Sequence, residues 1–92
     1  MDFSKKMEYL EKIKQICLSY KRDEVSIKDF QFNLLTALAS TPDVPDENSN
    51  KIEALVRDAD NEIEMIIYAT ADFEKAKKIA DNLVYEIGLI EK

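Results

Sequence analysis

The side chains of this 92-residue chain that are suited to chemistry are mostly carboxylates. The sequence holds 19 Asp and Glu residues, one cysteine and no histidine. Without histidine it has no Ser/His or Cys/His nucleophile pair, and with one cysteine it has no Cys/His zinc set. A single glycine also rules out a glycine-rich phosphate loop. The sequence therefore predicts a protein that is not an enzyme and binds no cofactor.

The carboxylates lack the spacing of a metal site. Asp60 and Glu64 are one helical turn apart, but they need ligands from other helices, and di-iron bundles supply these from Glu-x-x-His pairs. Residues 43–50, DVPDENSN, lack the central glycine and the final bidentate Glu of a calcium loop. Acid–base catalysis by paired carboxylates needs a cleft that so small a domain can hardly form. We predict no metal site.

The acidic groups are concentrated in the middle of the chain. The net charge is −6, but residues 29–74 carry eleven acidic groups against two basic ones. A field of that sign repels nucleic-acid phosphates and anionic membranes and attracts basic proteins. We therefore expect a basic protein partner, with no direct contact to nucleic acid or membrane. The alternative is that the acids only solvate helix faces.

Length and composition predict one helical domain spanning residues 1–92. One glycine and two prolines favour long helices over a β fold, which needs many tight turns. The longest apolar run, Met65–Ala69, is far shorter than the roughly 20 residues that span a bilayer. Charges in the first twenty positions argue against a signal peptide, and Cys17 alone forms no intramolecular disulfide. We expect a cytoplasmic protein.

Helices 1 and 2 are predicted from apolar residues at three- and four-residue steps. Helix 1 is expected from about Asp2 to Tyr20. Its inward side chains are Phe3, Met7, Leu10, Ile13, Cys17 and Tyr20. Helix 2 is expected from Ile27 to near Ala39, because Ser26 with Asp29 forms a variant capping box. Val25 and Phe30 take the positions of a hydrophobic staple, and Thr41-Pro42 stops the helix. Its inward side chains are Ile27, Phe30, Leu34 and Leu38.

Helices 3 and 4 are predicted in the second half of the chain. Helix 3 begins between Asp46 and Asn50. Its inward side chains are Ile52, Leu55, Val56, Ala59, Ile63, Ile66 and Ile67. Residues 63–70 are rich in β-branched and aromatic side chains, so a strand there, in an α+β fold, is the alternative. Helix 4 begins near Asp72 and stops at a left-handed Gly88, with Leu89 closing on Val84. Its inward side chains are Phe73, Ala76, Ala80, Leu83 and Ile87. The predicted fold is all-α, a small antiparallel four-helix bundle.

Four bulky residues lie off these apolar stripes and are predicted to be exposed: Phe32, Met65, Tyr68 and Tyr85. Exposed aromatic and Met side chains are enriched at protein interfaces. On helix 3 the spacing places two of them beside Asp60 and Glu64. The predicted partner-binding residues are Asp43, Asp46, Glu47, Asp60, Asn61, Glu64, Met65 and Tyr68.

Three segments give the chain a resemblance to a known family. They are EVSIKDFQFNLLTAL at helix 2, the acidic loop TPDVPDEN and the acidic helix VRDADNEIE. In these segments the chain resembles small bacterial immunity proteins of the colicin D immunity type. The resemblance implies a bundle that binds a tRNA-cleaving toxin domain and covers its basic active site with acidic side chains in place of RNA phosphates. It assigns no individual contact residue.

The predicted function is binding and occlusion of a basic protein partner, with an immunity protein or antitoxin against a nuclease toxin as its specific form. The alternative is a structural or regulatory bundle that self-associates, as a homodimer, through Phe32, Tyr68 and Tyr85. A third hypothesis is a phosphate-mimicking inhibitor of a nucleic-acid-binding protein.

Overall fold

The structure, a computed structural model, describes residues 3–39 and 47–91. These described residues form four α-helices: α1 (Phe3–Lys21), α2 (Ile27–Leu38), α3 (Glu47–Met65) and α4 (Phe73–Glu91). A single π-helical turn, Ile66–Thr70, follows α3 directly. The predicted all-α fold is confirmed, and residues 63–70 are helical, so the strand alternative is wrong.

Contacts between neighbouring helices show that the helices run antiparallel. Tyr20 near the end of α1 stacks on Phe30 near the start of α2, with ring centroids 4.5 Å apart. The helices α2 and α3 meet through Gln31 and Glu64, and the start of α3 meets the end of α4. Because α1 also packs along α4, the four helices close into a ring around one core.

The core is built from the predicted apolar stripes together with Tyr9 and Ala37, which those stripes did not include. The buried side chains are Tyr9, Leu10, Ile13, Cys17, Tyr20, Phe30, Leu34, Ala37, Ile52, Val56, Ala59, Ile63, Ile66, Ala76, Ala80, Leu83 and Ile87. Ile27, Leu38, Leu55 and Ile67 are half-buried at its margin. The side chains of Phe3 and Met7 lie outside the described part of the chain, as do Asp43, Asp46 and Thr41-Pro42.

The helix starts confirm the predicted caps. Ser26 is the N-cap of α2, and its hydroxyl oxygen accepts a hydrogen bond from the backbone N–H of Asp29 at 3.2 Å. Val25 is half-buried and packs against the core, to which Phe30 belongs. At the start of α4, a carboxylate oxygen of Asp72 accepts from the backbone N–H of Lys75 at 3.1 Å. These local signals position α2 and α4.

Lys77 ties the start of α4 to the end of α1. Its ammonium donates to the carbonyl oxygen of Tyr20 and to the carboxylate of Asp23, and lies 4.4 Å from the centroid of the Tyr20 ring. Asp23 has a positive φ of 61°, which turns the chain between α1 and α2. Lys21 pairs with Asp81 at the same end of the bundle.

Two predictions about α4 are wrong. Gly88 is not a left-handed stop, because α4 continues to Glu91 and no glycine has a positive φ. In the turn that continues past Gly88, Ile90 packs against the core. Phe73 is 53% exposed rather than inward-facing. It is the first residue of α4, and a helical side chain leans toward the N-terminus, where no earlier turn of α4 lies.

The end of α3 also differs from the predicted helix. The N–H of Ala71 donates to the carbonyl oxygen of Ile66 at 2.8 Å, which closes the π-helical turn. Ala71 itself is left-handed, with φ 54° and ψ 27°. The left-handed helix end that glycine usually provides is therefore at an alanine between α3 and α4.

Candidate protein-binding surface

The seam between α2 and α3 holds two carboxylates on one amide donor. The side-chain nitrogen of Gln31 donates to a carboxylate oxygen of Asp60 at 3.0 Å and to one of Glu64 at 2.6 Å. Gln31 follows buried Phe30 on α2, and Asp60 and Glu64 follow buried Ala59 and Ile63 on α3. Each of the three polar residues therefore sits at the edge of an apolar stripe, where two packed helices meet.

The charge of this pair is not neutralised within the described residues. Two carboxylates at i and i+4 repel each other, and a neutral amide offers two N–H donors but no positive charge. Arg57 lies three residues before Asp60 on α3, but it pairs instead with Glu53 at 3.1 Å. In the described part of the chain, neither Asp60 nor Glu64 has a lysine or arginine within ion-pair distance. The seam is a site of unbalanced negative charge.

Large apolar side chains stand exposed on the helical segments that carry the pair and its donor. Tyr68 in the π-helical turn is 71% exposed and Met65 at the end of α3 is 59% exposed. On α2, Phe32 is 68% exposed and Leu35 is 45% exposed. We call the surface formed by Gln31, Phe32, Leu35, Asp60, Asn61, Glu64 and Tyr68 the α2/α3 face. Met65 lies on the outer side of α3, at the edge of this face.

The structure brings together five of the eight predicted binding residues. Asp60, Asn61, Glu64, Met65 and Tyr68 lie within the last turns of α3 and the π-helical turn that follows. Glu47 is exposed at the first residue of α3, about 20 Å from Asp60 along the helix axis at 1.5 Å per residue. Asp43 and Asp46 lie outside the described residues. The α2/α3 face is therefore separate from Glu47.

Sequence reasoning missed Gln31 and Leu35. A polar residue next to a buried one in helix 2 has no distinguishing pattern, since its role depends on which residues of α3 it meets. Leu35 is not among the bulky residues predicted from the sequence to be exposed, although it is 45% exposed. Both become part of the face because of how α2 packs on α3.

Cys17 is buried in the core and takes no part in the surface. Burial raises the pKa of its thiol from 9.0 to about 12, and the nearby charge of Lys21 opposes this shift to a smaller extent. The thiol is therefore neutral at physiological pH and is not a nucleophile. Its burial confirms the prediction that Cys17 is an inward-facing side chain of helix 1.

Among the described residues, no group of three or more His, Cys, Asp or Glu side chains is placed to hold a metal ion. None of the helices in residues 3–39 and 47–91 combines the length and apolar content needed to cross a membrane. The chain matches no protein-family model, no curated protein and no solved structure.

Proposed function

We propose that this chain is a non-enzymatic binding protein that docks a basic protein partner on the α2/α3 face. One observation carries the proposal: Asp60 and Glu64 share a single neutral donor and have no cationic partner in the described part of the chain. An approaching lysine or arginine would supply the missing positive charge.

The contacts on this face suit such a partner. Hydrogen bonds between a guanidinium or ammonium group and a carboxylate are roughly twice as strong as neutral ones. The exposed rings of Tyr68 and Phe32 offer surfaces on which a cation or its aliphatic stem can pack. The eleven acidic groups of residues 29–74 add a long-range field that speeds the encounter with a basic surface.

The specific form of the proposal is an inhibitor that occludes the basic active site of a nuclease toxin, as the resemblance to colicin D-type immunity proteins implies. Under this proposal the protein acts in the cytoplasm. It has no direct contact with nucleic acid or membrane, because its carboxylates take the place of the nucleic-acid phosphates on the partner.

A charge-neutral double variant tests the proposed surface. The tagged chain is used to capture its partner from native lysate at low salt, and binding of the purified partner is then measured. We expect Asp60→Asn with Glu64→Gln to weaken binding by roughly tenfold or more, since a hydrogen bond to a charged group is worth about 1.5–3 kcal/mol. Both new amides retain oxygens that can accept from Gln31, so the seam between α2 and α3 is preserved.

Asp58→Asn with Glu62→Gln is the matched control. It removes the same charge from the same helix but on the side that faces α4. Equal loss in both double variants would mean that net charge alone matters, and unchanged binding in the Asp60/Glu64 variant would refute the proposal.

Self-association is the second candidate function, favoured by the exposure of aromatic side chains on three helical segments. Phe32, Tyr68 and Tyr85 are 68%, 71% and 64% exposed. A structural or regulatory bundle that pairs through them would form a stable dimer and need no toxin partner. Light scattering of the wild type and of Phe32→Ser, Tyr68→Ser and Tyr85→Ser tests this candidate, because it predicts a dimer that all three changes weaken.

A further inference from the structure

An open groove of about 370 Å³ runs between α3 and α4, on the side of α3 away from the α2/α3 face. Leu55 and Ile79, both half-buried, contribute to its floor. Its walls carry opposite charges. Asp58 and Glu62 lie on the α3 side, and Lys75 and Lys78 lie on the α4 side.

These four charges face one groove without pairing. In the described part of the chain none of them forms an ion pair, and all four side chains are exposed. Elsewhere on the same seam, Lys51 of α3 does pair with Glu86 of α4 at 3.3 Å. The α3/α4 seam is therefore bridged by an ion pair at one end and forms an open groove with four unpaired charges at the other.

The charges of the groove are self-complementary, because two copies of the chain can place the acidic side of each against the lysine side of the other. A two-fold axis running along the groove places the α3 side of one copy opposite the α4 side of the other, at the same height along the bundle. Asp58 and Glu62 of each copy then meet the lysine pair of the other copy, twice. An axis across the groove would instead oppose acid to acid and lysine to lysine. Charge complementarity thus selects one two-fold arrangement.

Exposed apolar side chains extend this face beyond the charged groove. Met65 lies three residues after Glu62, so it follows the acidic side by one helical turn. Tyr85 lies seven residues after Lys78 and continues the lysine side, and Leu89 lies one further turn along. They are 59%, 64% and 44% exposed. An apolar surface framed by complementary charges is the composition of a protein interface.

We propose that the α3/α4 groove is the interface of a homodimer in which a second copy of this chain docks, acidic side to lysine side. The proposal does not depend on the α2/α3 face, because its complementary charges are those of Asp58, Glu62, Lys75 and Lys78. Met65 lies at the border of the two surfaces. It assigns the second copy to a defined surface that contains Tyr85 but not Phe32.

Charge reversal on one side at a time provides the test. The first variant is Asp58→Lys with Glu62→Lys, which makes both sides of the groove positive. The second is Lys75→Glu with Lys78→Glu, which makes both sides negative. Lys75→Glu places a negative charge in the first turn of α4, where it is favourable for the helix dipole. Circular dichroism and the thermal midpoint verify that each variant folds.

Sedimentation velocity over a range of concentrations gives the result. We expect the wild type to dimerise, and each variant to have a dissociation constant raised at least about tenfold by like-charge opposition. An equimolar mixture of the two variants should form a heterodimer, and a chain carrying all four reversals should dimerise again. A monomeric wild type, a variant that still dimerises like the wild type, or a mixture that stays monomeric would each overturn the proposal.

The failure of this inference is distinguishable from failure of the proposed function. Asp60→Asn with Glu64→Gln is expected to weaken binding of the basic partner while leaving the dissociation constant of the dimer unchanged. Loss of the dimer in that variant would contradict the placement of the interface on the α3/α4 groove.

Discussion

Cys17 couples the stability of the core to alkaline pH. Burial holds the pKa of its thiol at about 12 in the folded state, against 9.0 without burial. The folded chain therefore keeps a proton that the unfolded chain releases as pH rises above 9. Because the unfolded state then binds fewer protons, we expect the free energy of unfolding to fall by up to about 1.4 kcal/mol per pH unit between pH 9 and 12. Urea unfolding at a series of pH values measures this slope.

Cys17→Ala is the control for that prediction. The variant loses packing at every pH but should lose most of the slope that begins near pH 9. Tyr20 contributes in the same direction at higher pH, because burial first, and the charge of Asp23 second, raise the pKa of its phenol. A slope that is identical with and without the thiol would show that Cys17 does not carry the effect.

Residue type and spacing predict part of the candidate site. Asp60, Glu64 and Tyr68 recur at four-residue steps, so a helix places them on one side whatever it packs against. Gln31 cannot be found in this way. Its contact with Asp60 and Glu64 spans two helices and depends on the register in which α2 lies on α3, which no local pattern encodes.

Among the helices, local chemistry predicts starts better than ends. The side chains of Ser26 and Asp72 accept hydrogen bonds from backbone N–H groups three residues later, so their capping roles can be recognised in the sequence. The ends depend on packing. Helix α4 passes through Gly88, and beyond it Ile90 packs against the core. The chain turns instead at Ala71, where no glycine signals a left-handed residue.

Gly88→Ala tests where α4 ends. Gly88 lies inside the helix without a positive φ, and a methyl group added there meets no atom within 4 Å. We expect the substitution to raise the free energy of unfolding by about 0.5–1 kcal/mol, because alanine loses less backbone entropy than glycine in a helix. Chemical denaturation measures the change.

The sign of that change decides between two helix ends. Alanine in a left-handed stop at Gly88 would cost about 1 kcal/mol or more, since its Cβ crowds the following carbonyl oxygen. A destabilised Gly88→Ala variant would therefore place the end of α4 at Gly88 rather than at Glu91.

Over the whole molecule, the balance between acidic and basic side chains differs from helix to helix. At the end of the bundle where α1 meets α4, lysines and acids pair across helices, as Lys21 does with Asp81 and Lys77 with Asp23. Helix α3 carries a surplus of acids, of which Asp60 and Glu64 have no cationic partner in the described residues. The apolar core stabilises the bundle, whereas repulsion among the acidic side chains on its surface destabilises it.

This self-repulsion predicts opposite effects of salt on stability and on binding. The molecule measures 42 × 20 × 18 Å. At about 0.01 M salt the Debye length is roughly 30 Å, so most of its charges interact, whereas at about 0.1 M it is roughly 10 Å. With a net charge of −6, we expect added NaCl to raise the urea midpoint of unfolding. Over the same range it should slow association with the basic partner, because steering is screened. A urea midpoint that falls with NaCl would mean that the cross-helix ion pairs outweigh the repulsion among the acids of α3.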